Sequence, residues 1–228
     1  MGLVEVLARD DDDRLIPSRA HATTILETPM TSDTTTGAAP AVNPLEPPPL
    51  PPSLRENRVP IGSPVYNDML EFLYDEAEMF DTLQLRDWLA TVAKDIIYTV
   101  PLRHTRATRD QAQATIRTVQ HMYDDYRSIV LRVMRVMDTR SAWGEDPPSR
   151  TKHFVSNVRV YRTAVEDEFK VHSYMLLTRN RFSNDRFDLV PCERLDVIRK
   201  TDAGYQLARR EVIIEQAVLG TPNLGIFL

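Results

Sequence analysis

The chain has 228 residues, 42% of them hydrophobic, and a formal net charge of −5. That is enough apolar content for one domain with a real core, and an excess of 33 Asp+Glu over 28 Lys+Arg excludes a general nucleic-acid binder. A single cysteine, Cys192, excludes an intramolecular disulfide framework and suits a reducing compartment.

The sequence contains no apolar run of the length a membrane helix needs. Its opening, MGLVEVLARDDDDR, lacks a basic leader followed by an apolar stretch. A soluble, cytoplasmic chain is therefore expected. Residues 1–60 hold ten of the 16 prolines and none of the 7 Phe, 2 Trp or 8 Tyr. Such a segment buries too little to offset its ordering entropy, so 1–60 reads as a disordered, Pro-rich acidic tail and 61–228 as the folded domain. Within the tail, Asp10–Asp13 is an acidic cluster and PLEPPPLPP at 44–52 a stiff spacer. Met30 opens MTSDTTTG and reads as a start, which would make 1–29 an upstream extension.

The predicted elements begin at Ser63-Pro64, where Ser can cap a helix and Pro suits its first turn. Tyr66, Met69, Leu70, Leu73, Ala77 and Phe80 recur at helical spacing and define a buried stripe. Leu85, Trp88, Leu89 and Val92 repeat the pattern in a shorter helix, and a strand follows at 95–103. A third helix is expected from about Asp124 to Met137, with Arg127, Arg132 and Arg135 largely off its apolar face. After Pro147-Pro148 the period changes to that of strands. Phe154, Val158 and Val160 lie on the first, and Phe169, Val171, Met175 and Leu177 on the second. A third runs from Phe187 to Val197 and a fourth from Tyr205 to Gln216. The apolar phase of the fourth changes between Leu207 and Val212, which predicts a bulge or sharp bend. Helices followed by long antiparallel strands imply an α+β fold with helices on one face of the sheet.

Three motifs stand out: EDPPSRTKHFVSNVRV at 145–160, ERLDVIRK at 193–200 and NLGIFL at 223–228. In this order and spacing the chain, from about Val65 to Leu228, resembles the beta (small) subunit of aromatic-ring-hydroxylating, Rieske non-haem iron dioxygenases. Its motif content is similar to the biphenyl, alkylbenzene and polycyclic-arene group. The resemblance implies an NTF2-like cone, a strongly curved antiparallel sheet wrapped around three N-terminal helices. It implies a structural, non-catalytic subunit that forms a trimer and joins alpha subunits as α3β3. The Rieske 2Fe–2S cluster and mononuclear iron would belong to the alpha subunit. Electrons would come from NADH through a reductase and ferredoxin, and the product would be a cis-dihydrodiol of an aromatic hydrocarbon.

Residue chemistry agrees that this chain carries no such centre. A Rieske cluster takes two Cys and two His, and a mononuclear iron site of this type takes two His and a carboxylate. The chain has one Cys, and no pair among its five histidines, His21, His104, His121, His153 and His172, falls at i,i+4 helical spacing. His153 and His172 lie on consecutive strands, as a metal pair or as hydrogen-bonded strand residues. A different class remains open: a stand-alone isomerase or dehydratase with a base and a donor drawn from Asp81, Tyr98, His104 and His153.

The motif residues Arg150, Asn157, Arg159, Glu193, Arg194, Asp196 and Arg199 read as subunit contacts or as an intrachain ion-pair network. Trp143, in the loop before the Pro-Pro corner, reads as a lid or an interface anchor. Leu224 and Phe227 belong to an apolar segment that its own core or another subunit should cover. Cys192 reads as a small buried residue.

Overall fold

The computed structural model describes residues 46–139 and 144–228. Helix α1 (Pro64–Asp81) starts where predicted: Ser63 Oγ accepts from the Tyr66 amide at 3.4 Å, and Pro64 fills the first turn. Its stripe buries Tyr66, Met69, Leu73 and Phe80, and with them Glu76. The short α2 (Leu85–Ala90) adds Leu85 and Trp88 to the same core. Strands β1 (Val92–Arg103) and β2 (Thr115–Asp124) come next. Helix α3 (Tyr126–Asp138) follows, with Asp125 Oδ1 accepting from the Ser128 amide at 2.8 Å. The remaining strands are β3 (Arg150–Arg162), β4 (Glu168–Asn180), β5 (Asp188–Thr201) and β6 (Gly204–Ile214).

The six strands form one sheet in the order β2-β1-β6-β5-β4-β3. Helix α1 packs on β3 at one edge, and α3 on β1 and β2 at the other, yet both helices bury residues in one core cluster. A sheet whose two edges share a core must bend around it. The molecule is therefore the expected α+β, NTF2-like arrangement, a curved sheet enclosing helices.

Three details differ from the sequence reading. The sheet is not wholly antiparallel, because β1 and β6 pair in parallel. The third helix is not N-terminal to the sheet; two strands precede it. Strand β2 was not anticipated. It is an edge strand, mostly half-buried or exposed, so it has no clear apolar alternation.

The bulge expected in the last strand is present. Leu207 pairs with Ile198 and Arg209 with Val197, which leaves Ala208 unpaired. It shifts the apolar phase so that Val212 and Ile214 face the core beside Leu207. A second bulge lies in β3, between the Ser156–Tyr174 and Arg159–His172 pairs. Asn157 sits there at φ 53°, a left-handed conformation that Asn tolerates better than most residues.

Residues 46–60, assigned by composition to the tail, touch the sheet. The Val59 amide donates to Val160 O at 2.8 Å, and Arg58 bridges Tyr161. Leu50 packs on Ala93, Val197 and Ala208, and Lys170 Nζ donates to Pro51 O at 2.6 Å. Val59 is fully buried in the main core. Val59→Ala is expected to cost about 1–3 kcal/mol, and deletion through residue 60 at least as much. Urea unfolding midpoints check this; unchanged midpoints would mean that the segment lies outside the cooperative fold.

Candidate functional site

The least expected feature of the interior is a cluster of four charged side chains, all essentially buried: Glu76, Arg194, Asp196 and Arg210. Helix α1 supplies Glu76, β5 supplies Arg194 and Asp196, and β6 supplies Arg210. Arg210 donates to Glu76 Oε1 at 2.8 Å and Oε2 at 2.7 Å, and to Asp196 Oδ1 at 2.8 Å and Oδ2 at 2.9 Å. Arg194 Nη1 reaches Glu76 Oε2 at 3.0 Å, and Trp88 Nε1 reaches Oε1 at 2.9 Å. Two acids face two bases, so the cluster is neutral as a whole.

Burial pushes the Glu76 carboxyl up, but Arg210 and Arg194 outweigh it and hold the pKa below the ordinary value. Burial likewise works against the Arg210 charge, and Asp196 with Glu76 raises its pKa well above normal. Sequence reading singled out Arg194 and Asp196 and missed Glu76 and Arg210. The available signal was an acid in the apolar stripe, three residues after Leu73 and four before Phe80.

A second constellation lies where α1 meets β3. His153 Nδ1 is 2.6 Å from Asp81 Oδ1, and the His153 amide donates to Asp81 Oδ2 at 3.3 Å. Burial raises the Asp81 pKa, and the His153 hydrogen bond and charge more than offset it, leaving it lowered. His153 Nε2 is 3.1 Å from Phe227 O. Tyr98 Oη, also buried, bonds the Leu228 backbone. His104 is exposed and takes no part. His153 and His172 do not meet: His153 pairs with Leu177 on β4, five residues from His172. Among the described residues, no group of three or more His, Cys, Asp or Glu is placed to hold a metal ion. Cys192 is buried, and burial pushes its thiol up to about 12.

The remaining motif residues are held within the chain. Arg199 donates to Glu168 Oε1 at 2.7 Å and to Asp95 at 3.0 and 3.1 Å; these hydrogen bonds raise its pKa. His172 Nε2 lies 2.6 Å from Glu193 Oε1, a contact that lowers the Glu193 pKa. Arg150 donates to Phe182 O at 2.6 Å and to Asn180, and Arg159 to Val158 O at 3.0 Å. Trp143 lies outside the described residues.

Sequence reading also missed Arg179. This buried guanidinium donates to Ser149 Oγ at 2.9 Å, Thr221 Oγ1 at 2.6 Å, Asn223 O at 3.0 Å and Glu145. It ties the Pro-Pro corner and the apolar NLGIFL segment to β4. Phe227 is buried in the chain's own core, and Leu224 is packed against it.

The side of the sheet turned away from the helices is different. Phe154 pairs with Leu176, Tyr174 with Ser156, and Leu189 with Thr178, which puts all four large side chains on one face. They are 56%, 39%, 47% and 50% exposed for Phe154, Leu176, Tyr174 and Leu189. Beside them runs an open groove of about 460 Å³, lined by Tyr174, Leu176, Pro191 and two carboxylates, Glu193 and Glu215. A contiguous exposed apolar row of this kind marks an interaction surface.

The class of molecule follows from these comparisons. The fold superposes on a chain of naphthalene 1,2-dioxygenase with a TM-score of 0.62 and 24% identity, covering 71% of this chain and 84% of that one. It also superposes on the beta subunit of benzoate 1,2-dioxygenase from Burkholderia mallei, with a TM-score of 0.52 and 19% identity, covering 65% and 89%. The sequence profile of the family described as "Ring hydroxylating beta subunit" matches residues 75–221. The beta subunit of benzene 1,2-dioxygenase from Pseudomonas putida is 33% identical over 172 residues, 74% of this chain and 91% of the relative. The beta subunit of biphenyl 2,3-dioxygenase from Rhodococcus jostii is 31% identical over 179 residues, 77% and 95% respectively.

The chain belongs to the ring-hydroxylating dioxygenase beta-subunit family. It is the non-catalytic subunit of an oxidoreductase, and the stand-alone isomerase or dehydratase reading is not favoured.

Removing one partner of a buried ion cluster leaves the others uncompensated. Glu76→Gln is therefore expected to cost about 3–5 kcal/mol in urea unfolding at pH 7. Because the folded Glu76 pKa is lowered, its contribution is full above the unfolded value near pH 4.5 and is lost as pH falls through the folded value. The variant should show a shallower loss of stability than wild type between about pH 5 and pH 2. Parallel acid limbs would contradict the charge assignment.

Proposed function

We propose that this chain supports an alpha subunit in an α3β3 assembly that dihydroxylates an aromatic hydrocarbon in the cytoplasm, with electrons passed from NADH through a reductase and ferredoxin. The observation that carries the proposal is the contrast between the two faces of the sheet. One face holds a buried, charge-balanced cluster of Glu76, Asp196, Arg194 and Arg210. The other presents Phe154, Tyr174, Leu176 and Leu189 to solvent, beside Glu193 and Glu215. Obligate interfaces have apolar cores and polar rims, and this row has that composition.

The residues of this chain do not fit either iron group. A Rieske cluster needs two thiolates, and the one cysteine is buried with its thiol pushed up to about 12. His153 is already engaged on both ring nitrogens, by Asp81 and by Phe227 O. The iron centres accordingly belong to the alpha subunit, and this chain contributes shape and support. In this reading Arg194 and Asp196 act by holding the fold, while Arg150, Asn157, Arg159, Glu193 and Arg199 orient loops and strand edges next to neighbours. Trp143, Leu224 and Phe227 complete the proposed set, Leu224 and Phe227 from inside.

The test is co-expression with the alpha subunit, followed by size-exclusion chromatography. Phe154→Asp combined with Leu176→Asp should release this chain from the complex and lower dioxygenase turnover at least tenfold. Its circular dichroism and unfolding midpoint should stay close to wild type, because both sites are exposed. An intact, fully active complex from that double variant would show that the row is not the assembly surface.

A further inference from the structure

Deep in the cone, the chain's own Phe227–Leu228 unit is bound as a ligand would be. The Phe227 ring stacks on Phe80 with centroids 5.8 Å apart and planes 15° from parallel, and lies 4.5 Å from the Trp88 ring. The Arg132 guanidinium sits 4.2 Å from the Phe227 ring centroid, in cation–π range. The peptide group that follows is gripped at both ends. Its oxygen, Phe227 O, is 3.1 Å from His153 Nε2, and its N–H donates to Tyr98 Oη at 3.1 Å. The next oxygen, Leu228 O, accepts from Tyr98 Oη at 3.0 Å and from Arg210 Nη1 at 3.2 Å.

These partners are fixed independently of the segment they hold. Asp81 holds His153 through its other ring nitrogen, which fixes the imidazole with Nε2 facing Phe227 O. Burial pushes the Tyr98 phenol up and keeps it a hydroxyl, able to donate and accept at once. Arg210 is anchored by Glu76 and Asp196. The occupant, in contrast, belongs to no strand or helix. Its other polar ties come from side chains: Arg132 Nη2 to Leu224 O at 3.5 Å and to Ile226 O at 3.1 Å, and Arg179 Nη1 to Asn223 O at 3.0 Å. A residual cavity of about 30 Å³ remains beside it, bordered by His153, Phe80 and Phe227.

We propose that the interior of the cone is a binding site for a small arylalkyl amide, occupied here by Phe227–Leu228 as a built-in ligand. The ring subsite takes an aryl group, and His153 Nε2 with the hydroxyl of Tyr98 takes an amide two carbons away. A free molecule of this class enters when Phe227 and Leu228 are displaced, which breaks no sheet ladder but breaks the bonds from His153, Tyr98 and Arg210. The inference concerns this chain's interior and does not depend on the assembly proposed above.

The probe is 3-phenylpropionamide, whose atoms reproduce Phe227 from the ring to the following amide nitrogen. In the full chain, Phe227→Gly with Leu228→Gly removes both side chains that seat the segment, and Tm should fall. Added 3-phenylpropionamide should raise Tm saturably and by more than toluene at equal concentration. Adding His153→Ala should erase the advantage of the amide over toluene. The proposal is overturned if neither compound raises Tm, if the two are equal, or if the advantage survives His153→Ala. Should the double variant fail to fold, wild type is titrated with the same amide while the Trp88 indole N–H is followed by NMR. A saturable shift supports the site, and an unmoved signal overturns it.

Discussion

The carboxylate of Glu76 is the constraint on which the rest of this molecule depends. It is a charge on the inner face of a helix, fully buried, and it accepts from Trp88, Arg194 and twice from Arg210. An unpaired carboxylate in that position would be untenable, so the helix, α2 and two strands must meet at one point with their donors aligned. Nonspecific burial of the apolar stripe would tolerate sliding of α1 along the sheet; bidentate hydrogen bonds do not. The cluster thus fixes where the helical layer sits and closes the cone.

Several other features follow from that fixed point. The bulge at Ala208 lets β6 present Arg210 to the cluster while Leu207, Val212 and Ile214 still face the core. Arg210 extends the network to Leu228 O, so the NLGIFL segment is anchored by the group that anchors α1. Arg179 performs a similar task at the other end of that segment, joining Glu145, Ser149, Thr221 and Asn223. With the buried charges balanced on the inner side, the opposite face of the sheet presents an apolar row. An apolar outer face is a liability in a lone chain and an asset in a subunit.

Local pattern made the helices and the long strands legible, along with the α+β class. The Ala208 bulge was legible too, because a change of apolar phase within one strand has few other physical explanations. The parallel β1–β6 pairing was not, since it joins residues more than a hundred positions apart and leaves no local trace. Strand β2 escaped for a different reason: an edge strand half in water needs no alternation. Asp81 and His153 were each recognisable by type, but 72 residues separate them and only the fold brings them together. Glu76 was hidden by the habit of reading a helix stripe through its apolar members. Glu76, at the centre of the network, lies outside all three motifs.

The direct measurement of this account is a double-mutant cycle between Glu76→Gln and Arg210→Gln, read by urea unfolding of the folded chain. If the two groups lock α1 to the sheet as a unit, the coupling energy should be about 2–3 kcal/mol, with the double variant far less impaired than the sum of the singles. Effects that add to within about 0.5 kcal/mol would mean that the two residues contribute independently, and that the buried cluster is not what holds the cone together.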